Sequence, residues 1–408
     1  MVDSEAHKTA AVTICAVNYL SKALVLRDSY IACHPGSDFF ILLVDRKNNN
    51  IGSAIPDVKI LWAEDLAIEN FDCYAFKFDI IELSTNVKPA TLKTLLKKYE
   101  SVLYIDPDIR VYSYLQTVYD SLAIHPVVVT PHTMTPVLDG KNPSDIDFSR
   151  MGSFNLGFVG VSRSEEGIAF LDWWSERCLK LGYYEPQLGL AVDQKWVDLA
   201  PCFFPNLKVL RDPGLNVAFW NLHERTLSKR DDKWFVNGES PLYFFHFSSF
   251  STDDPHAIAH KQSRFASGSR PDLHELVDEY AQLLVTKDDS RFSTTKYSND
   301  YFDDGTYITP ALRRFYAALE DTFTDVKNPF SSSSRVYEFA IKQRLALKGY
   351  KPAQRYTFKD MDKFSSAINI INKLLRVFLR VVGPNRYFSF MKYLVHLSSI
   401  RNQRDVLK

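Results

Sequence analysis

The stretch Ser101-Val102-Leu103-Tyr104-Ile105-Asp106-Pro107-Asp108-Ile109-Arg110-Val111-Tyr112 decides how this chain is read. Its short apolar run, Val102 to Ile105, has the length and character of a buried strand in a parallel sheet, closed by a charged turn. Such a strand delivers Asp106 and Asp108 to its carboxyl end, where open α/β sheets place their ligands. Residues two apart in an extended chain point the same way, so both carboxylates can face one target. Pro107 fixes its own φ and biases Asp106 toward an extended conformation, which favours that alignment. Two aligned carboxylates suit a hard divalent cation, and such a cation often carries a diphosphate. Taken alone, the same residues also read as caps of a turn or helix.

Upstream, Ala11 to Val17 reads as a first strand ending at Asn18-Tyr19, with Ser21 available to cap the helix that follows. Phe39 to Val44 is a second buried strand ending at Asp45, and Val58 to Leu61 a third. Strands and helices alternating in this way form the pattern of a nucleotide-binding α/β layer. No Gly-rich phosphate loop accompanies it, so any phosphate must be held by a metal or by basic side chains. A helix is expected over Phe76 to Leu83, and Thr85-Asn86-Val87-Lys88-Pro89 introduces another with Pro89 in its first turn. Lys88 is a candidate for that phosphate, against the plainer reading of a solvated lysine.

Downstream, Val127 to Thr130 is a strand, and Pro131 to Arg150 a long polar loop of the kind that serves function or moves. In Gly152-Ser153-Phe154-Asn155-Leu156-Gly157-Phe158-Val159-Gly160-Val161, small residues around Asn155 let backbone approach a ligand closely. A helix over about Ser164 to Leu179 carries aromatic core residues. Asp193-Gln194 opens a further helix, and Leu242 to Ser249 is a strand that sets His246 among aromatics. Singly, His246 reads as a core histidine; beside two carboxylates still short of ligands, its imidazole suits manganese better than calcium.

Beyond residue 250 the character changes. Asp254 to Arg270 is polar, with Lys261 and Arg264 available for phosphate, and helical patterns follow at Leu273 to Leu284, Thr309 to Phe323 and Arg335 to Leu347. Lys363 to Arg404 holds eight lysines and arginines and no acidic residue, on amphipathic helical stretches broken at Gly383-Pro384. That combination points either to an anionic membrane surface or to a packed helix.

With 408 residues, the chain has room for roughly two or three domains. A formal net charge of zero argues against nucleic-acid binding through a basic surface. Five scattered cysteines lack metal-ligand spacing and read as reduced thiols. Met1 to Ala10 has no secretory character and no apolar run reaches transmembrane length, so the expected location is cytoplasmic, with peripheral membrane contact through 363–404 as a further expectation.

Taken in order, the strand ending at Tyr19, Asp106-Pro107-Asp108, Phe154-Asn155-Leu156-Gly157-Phe158, Asp193-Gln194 and His246 resemble the GT-A glycosyltransferases, within them the glycogenin-like and bacterial lipopolysaccharide galactosyltransferase family. The resemblance covers about residues 11 to 250. It implies a GT-A (Rossmann-like) mixed sheet flanked by helices as a catalytic domain over 1–265, with a helical C-terminal region over 266–408. It implies that Asn18 and Tyr19 contact a nucleotide base, and that Asp106, Asp108 and His246 hold Mn²⁺ or Mg²⁺ against the diphosphate of a nucleotide-sugar donor. Asn155, Asp193 and Gln194 would line the sugar and acceptor region, where a glycan or lipid-linked glycan would accept the sugar. The chain departs from the family where Ser248-Ser249, and later Lys261 and Arg264, stand in place of a Gly and a Lys-Pro-Trp element.

The chemistry so implied neutralises charge on a leaving diphosphate with a metal and with Lys88, Lys261 or Arg264. Asp193 would be a general base in an inverting enzyme, and would position the cation-like sugar in a retaining one, the expected case. Two other classes compete: a sugar-phosphate nucleotidyltransferase, whose glycine-rich loop is missing from the first strand, and a non-catalytic sugar-nucleotide-binding scaffold.

Overall fold

The computed structural model describes residues 9–347, 349 and 365–407. Most of the polar N-terminal stretch lies outside the described residues, as does Lys363. The chain forms two compact units, residues 1–69 with 80–298 and residues 70–79 with 299–408.

The first unit is built on a seven-stranded mixed sheet. Its strands are β1 (Thr9–Cys15), β2 (Asp38–Leu43), β3 (Lys59–Trp62), β4 (Ser101–Ile105), β6 (Val127–Pro131), β7 (Phe154–Ser162) and the short Lys208–Val209; β5 (Ile109–Val111) lies outside it. From one edge to the other, the order is Lys208–Val209, β6, β7, β4, β1, β2, β3. All neighbours run parallel except β7, which is antiparallel to both β4 and β6. Every residue of β1 and β4 is buried, as expected of central strands covered on both faces.

Around this frame several sequence expectations shift. β1 stops at Cys15 rather than Val17, because the buried Asp45 carboxylate accepts from Val17 N at 2.8 Å and turns Val17–Tyr19 into a 3₁₀ helix. The helix α1 (Leu20–Cys33) therefore starts at Leu20 with Tyr19 as its N-cap, and Ser21 is inside it. The helix expected over Phe76 to Leu83 is two helices, Phe71–Phe76 and Ile80–Asn86, the first belonging to the second unit. Lys88–Leu95 is helical with Pro89 in its first turn, as its sequence predicts. The long polar loop holds a helix, Asp145–Met151, started by a capping box between Ser144 and Asp147.

The turn at Asp106-Pro107-Asp108 takes the chain out of the sheet. β5 pairs instead, antiparallel, with Phe244–His246, in a register that sets His246 opposite Ile109. Only these three residues of the stretch Leu242 to Ser249 form a strand, since β5 offers three partners. The first unit continues past residue 265 because the helix His274–Lys287 completes its core. Leu276, Val277 and Tyr280 bury against Phe247 and Phe250, and the Tyr280 ring stacks on Phe247 at 3.6 Å.

In the second unit, Phe76 packs against Tyr316 and Phe330 at 4.8 and 5.0 Å. The buried Arg313 donates to the carbonyls of Phe76 and Asn299 and to Asp300, which satisfies a charge that would otherwise be costly inside. Helices Ser365–Val382 and Pro384–Leu397 form a hairpin joined by contacts such as Phe378 to Phe390. Its outward residues Ile370, Ile371, Leu374, Val377 and Val381 are exposed. Among the described residues, no helix is long and apolar enough to cross a membrane.

Candidate active site

Asp106, Asp108 and His246 converge at the carboxyl end of β4, each offering a ligand atom within 4.8 Å of the others. His246 Nε2 lies 3.0 Å from Asp108 Oδ1 and 3.7 Å from Asp106 Oδ2. The β5 ladder supplies His246, and Phe247 N donates to the carbonyl of Asp108 at 2.8 Å, so backbone pairing fixes the imidazole beside the carboxylates. Asp106 is set by Tyr104, whose hydroxyl donates to its Oδ1 at 2.5 Å, and by its own N–H bonding the Gly157 carbonyl.

The electrostatics follow from this geometry. Burial opposes the charge on Asp108, but the His246 imidazole and the Lys22 ammonium outweigh it and hold the carboxyl below its usual range. Burial likewise opposes a charged His246, yet Asp108 and Asp106 raise its pKa. Two carboxylates and one imidazole form a mixed oxygen and nitrogen donor set of the kind that holds a divalent cation. The residues present therefore fit the expected metal.

Lys88 and Asp193 come together behind the triad. Lys88 Nζ sits 2.7 Å from Asp193 Oδ2, with both side chains about 2% exposed. It also donates to the Leu156 carbonyl at 2.8 Å and lies over the Tyr104 ring at 4.1 Å. Lys88 is thus neither solvated nor open to a phosphate; it is the counter-charge of Asp193. Burial raises the pKa of Asp193, and Lys88 opposes that rise.

Asn155 and Gln194 line the same wall. Asn155 Oδ1 accepts from Asn216 Nδ2 at 3.0 Å and from Gly157 N at 3.2 Å. That leaves its Nδ2 facing His132 Nε2 at 3.2 Å. Gln194 accepts from Leu156 N and donates to the Met151 carbonyl, which pins the start of β7. Beside them opens a cavity of about 550 Å³, lined among others by Phe148, Ser153, Phe154, Lys195 and Arg211.

Tyr19 is 43% exposed at the start of α1, and Asn18 Oδ1 beside it is buried without a hydrogen-bond partner among the described residues. Two candidates remain. Arg264 is held by Asp139 at 2.9 Å and by the Pro143 carbonyl, so its guanidinium ties that part of the 131–150 loop to the 254–270 segment. Lys261 is exposed.

Four residues that shape the site carry no sequence signal of it. Asp45 holds the Val17–Tyr19 turn, with Ser298 N and Oγ also bonding its Oδ1. His132, buried and stacked on Phe148, is pushed down to about 4 by burial. Asn216 adopts a left-handed backbone (φ 51°), and Trp220 packs edge-on against both His132 and His246.

No protein-family model matches the chain. Similar solved structures are glycosyltransferases. One is the galactosyltransferase LgtC in complex with donor and acceptor sugar analogs, at 14% identity, covering 68% of this chain and 95% of that one, with a TM-score of 0.43. Another is GlyE of Streptococcus pneumoniae TIGR4, at 14% identity, covering 72% of this chain and 67% of that one, with a TM-score of 0.40. Among curated sequences, the uncharacterized protein YfnF of Bacillus subtilis (strain 168) is 27% identical over 284 residues, covering 68% of this chain and 93% of that protein.

Proposed function

We propose that the protein is a metal-dependent GT-A glycosyltransferase, with residues of the first unit as its catalytic part. It moves a sugar from a nucleotide-diphosphate-sugar donor to a glycan or lipid-linked glycan acceptor, with retention of configuration. The observation that carries this reading is the cluster of Asp106, Asp108 and His246 at the carboxyl end of a central strand. Mn²⁺ held there would supply Lewis-acid neutralisation of the leaving diphosphate. Asp106, Asp108 and His246 would hold the ion, with Tyr104 orienting Asp106. Tyr19 offers an exposed ring for the nucleotide base. Asn155 and the neighbouring cavity provide polar and apolar walls for the sugars.

Retention is supported by Asp193. A general base must reach the acceptor hydroxyl, whereas the Asp193 carboxylate is buried and already holds Lys88. Such a group is suited to positioning the cation-like sugar. Proton NMR of the first glycoside formed from an α-linked donor reads this directly: an α product is expected, and a β product makes Asp193 the base of an inverting enzyme.

For the donor, a thermal-shift screen of nucleoside diphosphates and nucleotide sugars is decisive. Stabilisation that needs Mn²⁺ is expected for one nucleotide class. A metal-independent response, or none, contradicts the reading. Binding without transfer or hydrolysis identifies a scaffold instead.

The hairpin of Ser365–Val382 and Pro384–Leu397 gives this enzyme a docking surface for anionic lipid at the cytoplasmic face. Its support is the row of exposed apolar residues together with Lys373, Arg376, Arg380, Arg386 and Lys392, on helices without an acidic residue.

A further inference from the structure

A leaving diphosphate needs positive charge beyond the metal; of the three basic candidates, Lys88 is held by Asp193 and Arg264 by Asp139, while Lys261 lies exposed on the 254–270 segment. We propose that Lys22, in the first turn of α1, is the cation that faces the metal-bound diphosphate. This inference rests on the glycosyl-transfer reading above.

Two hydrogen bonds fix how α1 lies beside the chain that leaves Asp108. Val111 N donates to Ser29 Oγ at 3.1 Å, and Leu115 N donates to His34 Nε2 at 3.0 Å. Both partners advance together, so α1 and the 109–115 segment run in the same direction. Lys22 precedes Ser29 by two helical turns, about 10 Å along the axis. Asp108 ends the turn that leads directly into β5, three residues before Val111, so it lies at most about 10 Å back along the same segment. Residues two turns apart share a helix face, and Ser29 marks the face turned toward β5. Lys22 is therefore level with Asp108 and on its side.

A further contact agrees with that placement. Lys22 Nζ bonds the Tyr19 hydroxyl at 3.1 Å and lies 4.3 Å from the centre of that ring. With a metal at the triad and a base on Tyr19, the diphosphate spans the interval that Lys22 occupies. There the ammonium stabilises the charge that develops on the leaving oxygen, without any proton transfer.

The test uses the full chain with Mn²⁺ and inorganic pyrophosphate, a probe that carries neither base nor sugar. Isothermal titration compares the natural protein with Lys22→Ala and Lys22→Arg, each checked by circular dichroism for native secondary structure. Loss of one charge-assisted hydrogen bond is expected to weaken pyrophosphate binding about tenfold in Lys22→Ala, with most of it regained in Lys22→Arg. Equal affinity in all three overturns the role of Lys22 and leaves the metal site standing. Failure of the natural protein to bind pyrophosphate with Mn²⁺ overturns both this inference and the reading it rests on.

Discussion

A Cβ at Gly157 would lie 2.5 Å from His246 Cε1, 2.7 Å from Asp106 Oδ2 and 2.8 Å from Asn155 Oδ1. Only a residue without a side chain lets the three groups close around this point. Gly157→Ala is expected to destabilise the protein by about 1–3 kcal/mol through overpacking, and to weaken Mn²⁺ binding more than that loss explains. Urea denaturation and Mn²⁺ titration measure the two effects; wild-type Mn²⁺ affinity in this variant refutes the packing argument.

His132 yields a prediction in pH. Its folded pKa of about 4 lies below its ordinary value of 6.5. The unfolded chain therefore takes up the proton first, and stability present above pH 6.5 falls as pH drops toward 4. At pH 5 the loss is on the order of 2 kcal/mol. His132→Gln should show a smaller decline between pH 7 and pH 5 by denaturant melts, and an identical decline contradicts the assignment. At this scale the sequence placed Asp106 and Asp108 at a strand end and His246 on an aromatic strand, and the family resemblance joined the three. The sequence could not show that Lys88 meets Asp193, since burial and long-range pairing leave no local pattern. Lys22 was invisible for a similar reason: its place depends on the register of a helix against a strand.

The short ladder between β5 and Phe244–His246 is what brings an imidazole to the pair of carboxylates. The alternation of strands and helices was readable from apolar runs and turn residues. The departure of β5 from the main sheet was not, because three residues carry too little periodicity. Nor was the reach of the first unit past residue 265. Tyr280, fully buried and stacked on Phe247, ties the helix His274–Lys287 to the strand end that carries His246. Tyr280→Ala is expected to cost about 3–5 kcal/mol, seen as a lowered denaturation midpoint with an unchanged slope. A loss below about 1 kcal/mol would mean that this helix is peripheral to the core.

For the whole molecule, zero net charge conceals a segregated distribution, with basic residues on the exposed helical hairpin. Each such charge contributes roughly 1 kcal/mol near an anionic bilayer. Changing Lys373, Arg376 and Arg380 together to Gln should release the protein from anionic liposomes in co-sedimentation while leaving turnover of a soluble acceptor intact. Equal sedimentation of variant and natural protein removes the membrane role.

The central claim is that sugar transfer depends on a metal held by Asp106, Asp108 and His246. Its most direct test is nucleoside-diphosphate release from the nucleotide sugar selected in the binding screen, assayed with acceptor, with and without Mn²⁺, for the natural protein and Asp108→Asn. The account predicts release only with Mn²⁺, and a fall of at least about 10²-fold in Asp108→Asn with the fold retained. Undiminished release by Asp108→Asn under limiting Mn²⁺ would contradict it.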